Sequence, residues 1–181
     1  RMVIRDKLYT LAEFDQLLAA HPERLLELIN GRINEKVVGR KHGRYAANIM
    51  THIVNWYHQN QIDGHYGMEV HHFVDRGIDF KPQPDVHFAY GGEEQPGGTV
   101  KGMPDFVAEV KSPGNSYEEL HEKTRLYLQY GTRLVWLVFP TSMTVEVHRA
   151  DGSTATYKAG QTLSGEDVLP GLRIKVSDIF A

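Results

Sequence analysis

The chain has 181 residues, 41% apolar and 24% charged, which suits one globular domain over residues 1–181 and leaves little room for a second core. With 20 basic and 23 acidic residues the net charge is −3, which argues against a surface coated in basic charge for bulk nucleic-acid binding but allows a local phosphate grip. There is no cysteine, so disulfides and thiolate metal sites are excluded.

The first residues, from Arg1-Met2, lack the basic-then-apolar pattern of a secretory signal, and the expected location is the cytoplasm. Thr10 with Glu13 forms a capping box, and Leu11, Phe14, Leu17 and Leu18 share a helical face, so a first helix should end near His21-Pro22. Two strand-like runs, Leu25 to Ile29 and Arg32 to Val38, flank Asn30-Gly31, the strongest short-range hairpin signal. From about Lys41 to Asn60, Ile49, Met50, Ile53, Val54 and Tyr57 line one face of a helix. Strands are expected around Gly67 to Asp75 and Asp85 to Tyr90, then a loop through glycine-rich Gly91 to Gly102. Phe106 to Lys111 is a strand broken by Ser112-Pro113-Gly114. A helix follows, with Ser116 and Glu119 as its capping box and Gly131 as its stop. The apolar run Leu134 to Phe139 is far too short to cross a bilayer, so no membrane association is expected. A hairpin turning at Asp151-Gly152 and a short strand near Leu172 to Val176 complete the chain. This order predicts an α/β (α+β) architecture, a mixed β-sheet flanked by helices, with a right-handed crossover between Asp105 and Phe139.

Chemistry concentrates where charge is expensive. Strand alternation places Val107, Glu109 and Lys111 on one face and Phe106, Ala108 and Val110 on the other. A carboxylate set among such neighbours needs a cation or hydrogen bonds. Lys111 lies roughly 7 Å along the strand and is long enough to lean back, and a divalent metal would serve equally. Alone, a Glu-any-Lys triplet reads more simply as an ion pair on a half-exposed strand. A second carboxylate, Asp85, follows Pro84 at the start of a strand. Asp105 is a poorer partner: along one regular strand it would sit roughly 13 Å from Glu109, whereas ligands of one Mg²⁺ must each reach to about 2 Å of it.

Pro84-Asp85 followed by Glu109-Val110-Lys111 resembles the PD-(D/E)XK nuclease signature. The wider series includes Glu27-Leu28-Ile29-Asn30-Gly31, Lys41-His42-Gly43-Arg44, Ser112-Pro113, Lys123 with Tyr127, and Leu169-Pro170-Gly171. In this order it resembles the Uma-type restriction endonuclease family, from about Thr10 to Phe180. The resemblance implies a restriction-endonuclease-like fold and Mg²⁺-dependent hydrolysis of DNA phosphodiester bonds, with Mn²⁺ able to substitute and no organic cofactor. It implies Asp85, Glu109 and the backbone carbonyl of Val110 as metal ligands. Glu27 matches an acidic residue preceding that core. The catalytic lysine stays open between Lys111, which fits the simple signature, and Lys123, which fits the closer relatives. Lys123 also reads as an i,i+4 partner of Glu119 on an exposed face.

Arg40, Lys41, His42 and Arg44 form the clearest basic cluster and are the candidate DNA contacts; a solvated loop is the plainer reading. Among ten histidines there is no close His-and-carboxylate spacing of the zinc-enzyme type. Glu69 reads as a supporting or surface residue, and Trp56 and Tyr57 as core. A homodimer is expected, because one small domain rarely encloses a duplex. The competing reading is a non-catalytic domain of the same fold that binds nucleic acid or protein.

Overall fold

A computed structural model describes residues 7–75 and 79–181; the first residues, read above for a signal pattern, lie outside them. In chain order the elements are α1 (Leu11–Ala20), β1 (Leu26–Ile29), β2 (Arg32–Glu35), α2 (Arg40–Gln59), β3 (His65–Gly67), β4 (His72–Phe73) and β5 (Val86–Ala89). There follow β6 (Glu93–Glu94), β7 (Val100–Lys101), β8 (Phe106–Val110), α3 (Tyr117–Gln129), β9 (Leu134–Phe139), β10 (Thr144–Arg149), β11 (Thr154–Lys158), β12 (Thr162–Ser164), β13 (Arg173–Lys175) and α4 (Val176–Phe180).

Six strands form the main sheet in the order β11-β10-β9-β8-β5-β3. The pair β8 and β9 is parallel, joined through α3, and the other neighbours are antiparallel, so the sheet is mixed, as the element order predicts. Both faces of β8 and β9 are buried, which is why these strands read as nearly continuous apolar runs. Ala108, Val110, Trp136 and Val138 face α2, α4 and the β12–β13 hairpin; Val107, Val135 and Leu137 face α3 with Phe80 and Tyr127. The alternation expected of Phe106 to Val110 therefore divides two cores, and Glu109 belongs to the α3 side.

Local chemistry sets the element ends. Both capping boxes form, Thr10 with Glu13 and Ser116 with Glu119. Asn30 (φ 51°) and Gly31 (φ 74°) supply the two positive φ values of a tight hairpin turn.

Three expectations give way to long-range pairing. No continuous strand runs from Gly67 to Asp75. Glu69 takes φ 54°, its N–H donates to the Pro84 carbonyl, and only β3 and β4 remain on either side. The Gly91–Gly102 loop contains β6 and β7, with β7 also pairing parallel to β4. After β13 the chain turns into α4, whose Val176, Ile179 and Phe180 enter the core. Among the described residues no helix is long and apolar enough to cross a membrane.

His72 is 1% exposed, its Nδ1 lies 3.0 Å from the Gly102 carbonyl, and its ring meets His87 edge-on at 4.6 Å. Burial holds its pKa down at about 4, with the Gly102 carbonyl opposing and His71 assisting. The unfolded value is ~6.5. A depressed folded pKa contributes stability above the unfolded value that is lost as pH falls toward the folded one, at ~1.4 kcal/mol per unit of separation. Thermal midpoints should fall as pH drops from about 6.5 to 4, and His72→Phe should flatten that slope. Equal slopes in wild type and variant would rule this assignment out.

Candidate active site

The site forms where β5 ends. β5 and β8 are antiparallel with Val86 opposite Ala108, so one step further along the ladder Asp85 stands opposite Glu109. Directly opposed residues project to the same face with Cβ atoms about 5 Å apart. Asp85 (1% exposed) takes the Val110 N–H at 2.7 Å on Oδ2. Asp105 stands elsewhere: its carboxylate accepts the Tyr90 N–H at 2.8 Å and its carbonyl accepts from Arg133 and Leu134.

Glu27 arrives from β1. The chain around Lys81 runs beside that strand, exchanging both backbone hydrogen bonds with Leu28. Pro82 and Pro84 have no N–H to give, and the Gln83 N–H between them donates to Glu27 Oε1 at 2.7 Å. From α3, Lys123 and Tyr127 lie one turn apart and point at the same strand. Lys123 Nζ lies 2.6 Å from Glu27 Oε1 and 2.7 Å from Glu109 Oε1, and the Tyr127 hydroxyl donates to Glu109 Oε1 at 2.9 Å.

A second ammonium comes from Lys36, just after β2. Its Nζ donates to Asp85 Oδ1 (2.6 Å), Glu69 Oε2 (2.6 Å) and the Gln83 carbonyl (2.7 Å). The φ of Glu69 follows from this arrangement, since the bend turns its carboxylate toward Lys36. His42 Nε2, in the first turn of α2, approaches Asp85 Oδ2 at 3.0 Å, so its ring faces inward rather than toward solvent.

Carboxylates outnumber ammonium groups here: Glu27, Glu69, Asp85 and Glu109 face Lys36 and Lys123, with His42 at the edge. Burial pushes the Glu109 carboxyl up to about 7, further raised by Asp85 and Glu27 and opposed by Lys123 and Lys36. Burial acts the same way on Asp85, but Lys36 and His42 outweigh it and hold its pKa well below the carboxylate range. Burial would lower the pKa of Lys36 and Lys123, yet the surrounding carboxylates keep both raised. Glu27, Lys36, Asp85, Glu109, Val110 and Lys123 line a pocket of about 20 Å³, enough for one water or ion. Several hard oxygen donors around such a space suit a hard divalent cation.

Lys111 does not enter this pocket. Its Nζ lies 3.3 Å from the Ser112 carbonyl, and with Arg40, Lys41, Tyr117 and Phe139 it lines an adjoining groove of about 870 Å³. Arg40, Lys41 and Arg44 are exposed at the start of α2. No motif marks Lys36, whereas Glu69, read from the sequence as a supporting or surface residue, bonds Lys36 beside the pocket. A separate set, His121, Glu146 and His148, gathers between α3 and β10. Glu146 and His148 share a strand face, but His121 reaches them only through folding.

Residues 11–177 match the family model described as "Putative restriction endonuclease", named Uma2. No curated protein sequence matches the chain. A crystal structure from Anabaena variabilis, titled as a putative nuclease belonging to DUF820, superposes with a TM-score of 0.79 at 22% identity, covering 94% of this chain and 97% of that one. At that identity the likeness establishes the fold alone, a mixed sheet flanked by helices.

Proposed function

Because the chain belongs to the Uma2 family, described as "Putative restriction endonuclease", we propose that it is a Mg²⁺-dependent endonuclease acting on DNA phosphodiester bonds. One observation carries this reading: three buried carboxylates, Glu27, Asp85 and Glu109, line a space for one ion with Lys36 and Lys123, and a fourth, Glu69, bonds Lys36. Such a group is stable only when more positive charge arrives or a carboxyl takes a proton. Asp85, Glu109 and the Val110 carbonyl would hold Mg²⁺ or Mn²⁺. When bound, the ion supplies Lewis-acid stabilisation of charge on phosphate oxygens.

The chain's own residues then divide the work. Lys36 releases one Asp85 oxygen while keeping Glu69 and the Gln83 carbonyl as partners. Tyr127 fixes the Glu109 carboxylate by its hydroxyl. Lys123 is our choice for the catalytic lysine over Lys111, because its ammonium already lies between Glu27 and Glu109 and can offset charge developing on a phosphate beside them. α2 begins without a side-chain cap, so its first N–H groups together with Arg40, Lys41 and Arg44 offer a phosphate-binding end beside the pocket. His42 supports Asp85 instead of contacting DNA. We further propose a cytoplasmic homodimer, whose two sites would address the two strands of a duplex.

Supercoiled plasmid incubated with the protein should be nicked or linearised with Mg²⁺ or Mn²⁺ and stay intact in chelator. A second reading rests on the same ion pairs: with Lys36 and Lys123 already bonded to the carboxylates, the cluster could be structural in a non-catalytic binding domain. Millimolar Mn²⁺ binding by calorimetry together with cleavage supports the enzyme. Neither binding nor cleavage of plasmid, single-stranded DNA or RNA favours the structural reading.

A further inference from the structure

We propose that His121, Glu146 and His148 form a binding site for a divalent transition-metal ion, separate from the carboxylate cluster and independent of any nuclease activity. His121 stands on α3 and the other two on β10, two residues apart and therefore on one face of the strand. His121 Nε2 lies 2.9 Å from Glu146 Oε2, and His148 Nε2 lies 3.0 Å from the same oxygen. All three ligand atoms fall within 4.8 Å of one another. Tetrahedral ligands about 2.0 Å from a zinc ion stand roughly 3.3 Å apart, so small side-chain rotations would complete the set.

The proton arrangement favours a cation. His121 Nδ1 lies 2.9 Å from the Tyr117 carbonyl. That oxygen can only accept, so Nδ1 carries the hydrogen. In a neutral ring Nε2 would then turn a lone pair toward a carboxylate oxygen, a repulsion that either a cation between them or a second ring proton relieves. Imidazole held by a backbone carbonyl at its other nitrogen is the usual supporting arrangement of a ligating histidine. Glu146 has the matching support, since the Tyr117 hydroxyl donates to its Oε1 and leaves Oε2 to the histidines. Two imidazoles and one carboxylate suit Zn²⁺ or a similar first-row ion over Mg²⁺. His121 and His148 also line a cleft of about 350 Å³, which leaves solvent access for a fourth ligand. An ion there would tie α3 to β10, and Lys123 sits two residues beyond His121 on the same helix.

Titrating the metal-free protein with Zn²⁺ by calorimetry against a competing chelator tests the assignment. One equivalent should bind at micromolar or tighter affinity. His148→Ala and His121→Ala should each weaken it by more than ~100-fold, and Tyr117→Phe by roughly 10-fold, the scale of a lost supporting bond. Asp85→Asn should leave it unchanged. Circular dichroism of the metal-free variants separates a lost ligand from a lost fold, because both histidines lie at the surface of the cleft. No binding at micromolar Zn²⁺ by the folded wild type, retention in the folded histidine variants, or loss in folded Asp85→Asn would each overturn the proposal.

Discussion

Asp85→Asn should lower metal-dependent cleavage by at least ~100-fold, more than the loss of a residue that merely supports a ligand. The substitution removes a charge that Lys36 and His42 both face, and it puts an amide donor where the Val110 N–H and two cationic donors now point. An asparagine oxygen in the Oδ2 position could still accept from Val110 and His42, but the amide NH2 would then face the Lys36 ammonium, donor against donor. Mn²⁺ binding measured by calorimetry should be lost with the activity, so the readout does not depend on finding the preferred substrate. Glu109→Gln should behave alike, because Glu109 occupies the opposing ladder position. A folded Asp85→Asn protein that cleaves within about tenfold of wild type would remove Asp85 from the machinery.

Lys123→Met should cost about 3–5 kcal/mol of stability in chelator at neutral pH, the scale of breaking a buried ion pair by removing one partner. Lys123 is 5% exposed and is shared by two buried carboxylates, Glu27 and Glu109, so its removal leaves both short of positive charge. The deficit should depend on pH. Burial raises the Glu109 carboxyl to about 7 in the folded protein, well above an ordinary glutamate. A raised folded pKa contributes stability below the unfolded value that is lost as pH rises through the folded one. Without Lys123 the folded value moves higher still, so the variant's deficit should be small near pH 5 and grow toward pH 8. Thermal denaturation across that range measures it; a deficit independent of pH would mean that Glu109 is not the group left uncompensated. Lys111→Met, at a lysine whose ammonium reaches the neighbouring Ser112 carbonyl in an open groove, should change stability far less.

Features legible in the chain were those set by neighbours in sequence. The capping boxes at Thr10 and Ser116, the Asn30-Gly31 turn and the alternation through Phe106 to Val110 need only a few consecutive residues, and each appears where expected. The convergence of Asp85 with Glu109 was also within reach. Strand geometry disfavoured Asp105 and left a neighbouring strand as the better source.

Long-range features resisted. The helix α4 has five residues, too few to stand out by periodicity, and is held by burial of Val176, Ile179 and Phe180. The bend at Glu69 exists because its N–H meets the Pro84 carbonyl and its carboxylate meets Lys36, contacts between separate segments.

By itself, then, the sequence determined the α/β order, the helix caps and the hairpin turn, and it pointed to Asp85 and Glu109 as candidates, because period, capping and strand reach are local physics. Only the tertiary structure decided which lysines stand beside those carboxylates, that His42 turns inward, and that His121 meets Glu146 and His148. The physical reason is that charge compensation in a low-dielectric interior acts through space. A buried carboxylate requires a cation nearby, but nothing in its local sequence specifies which segment of the chain must bring it.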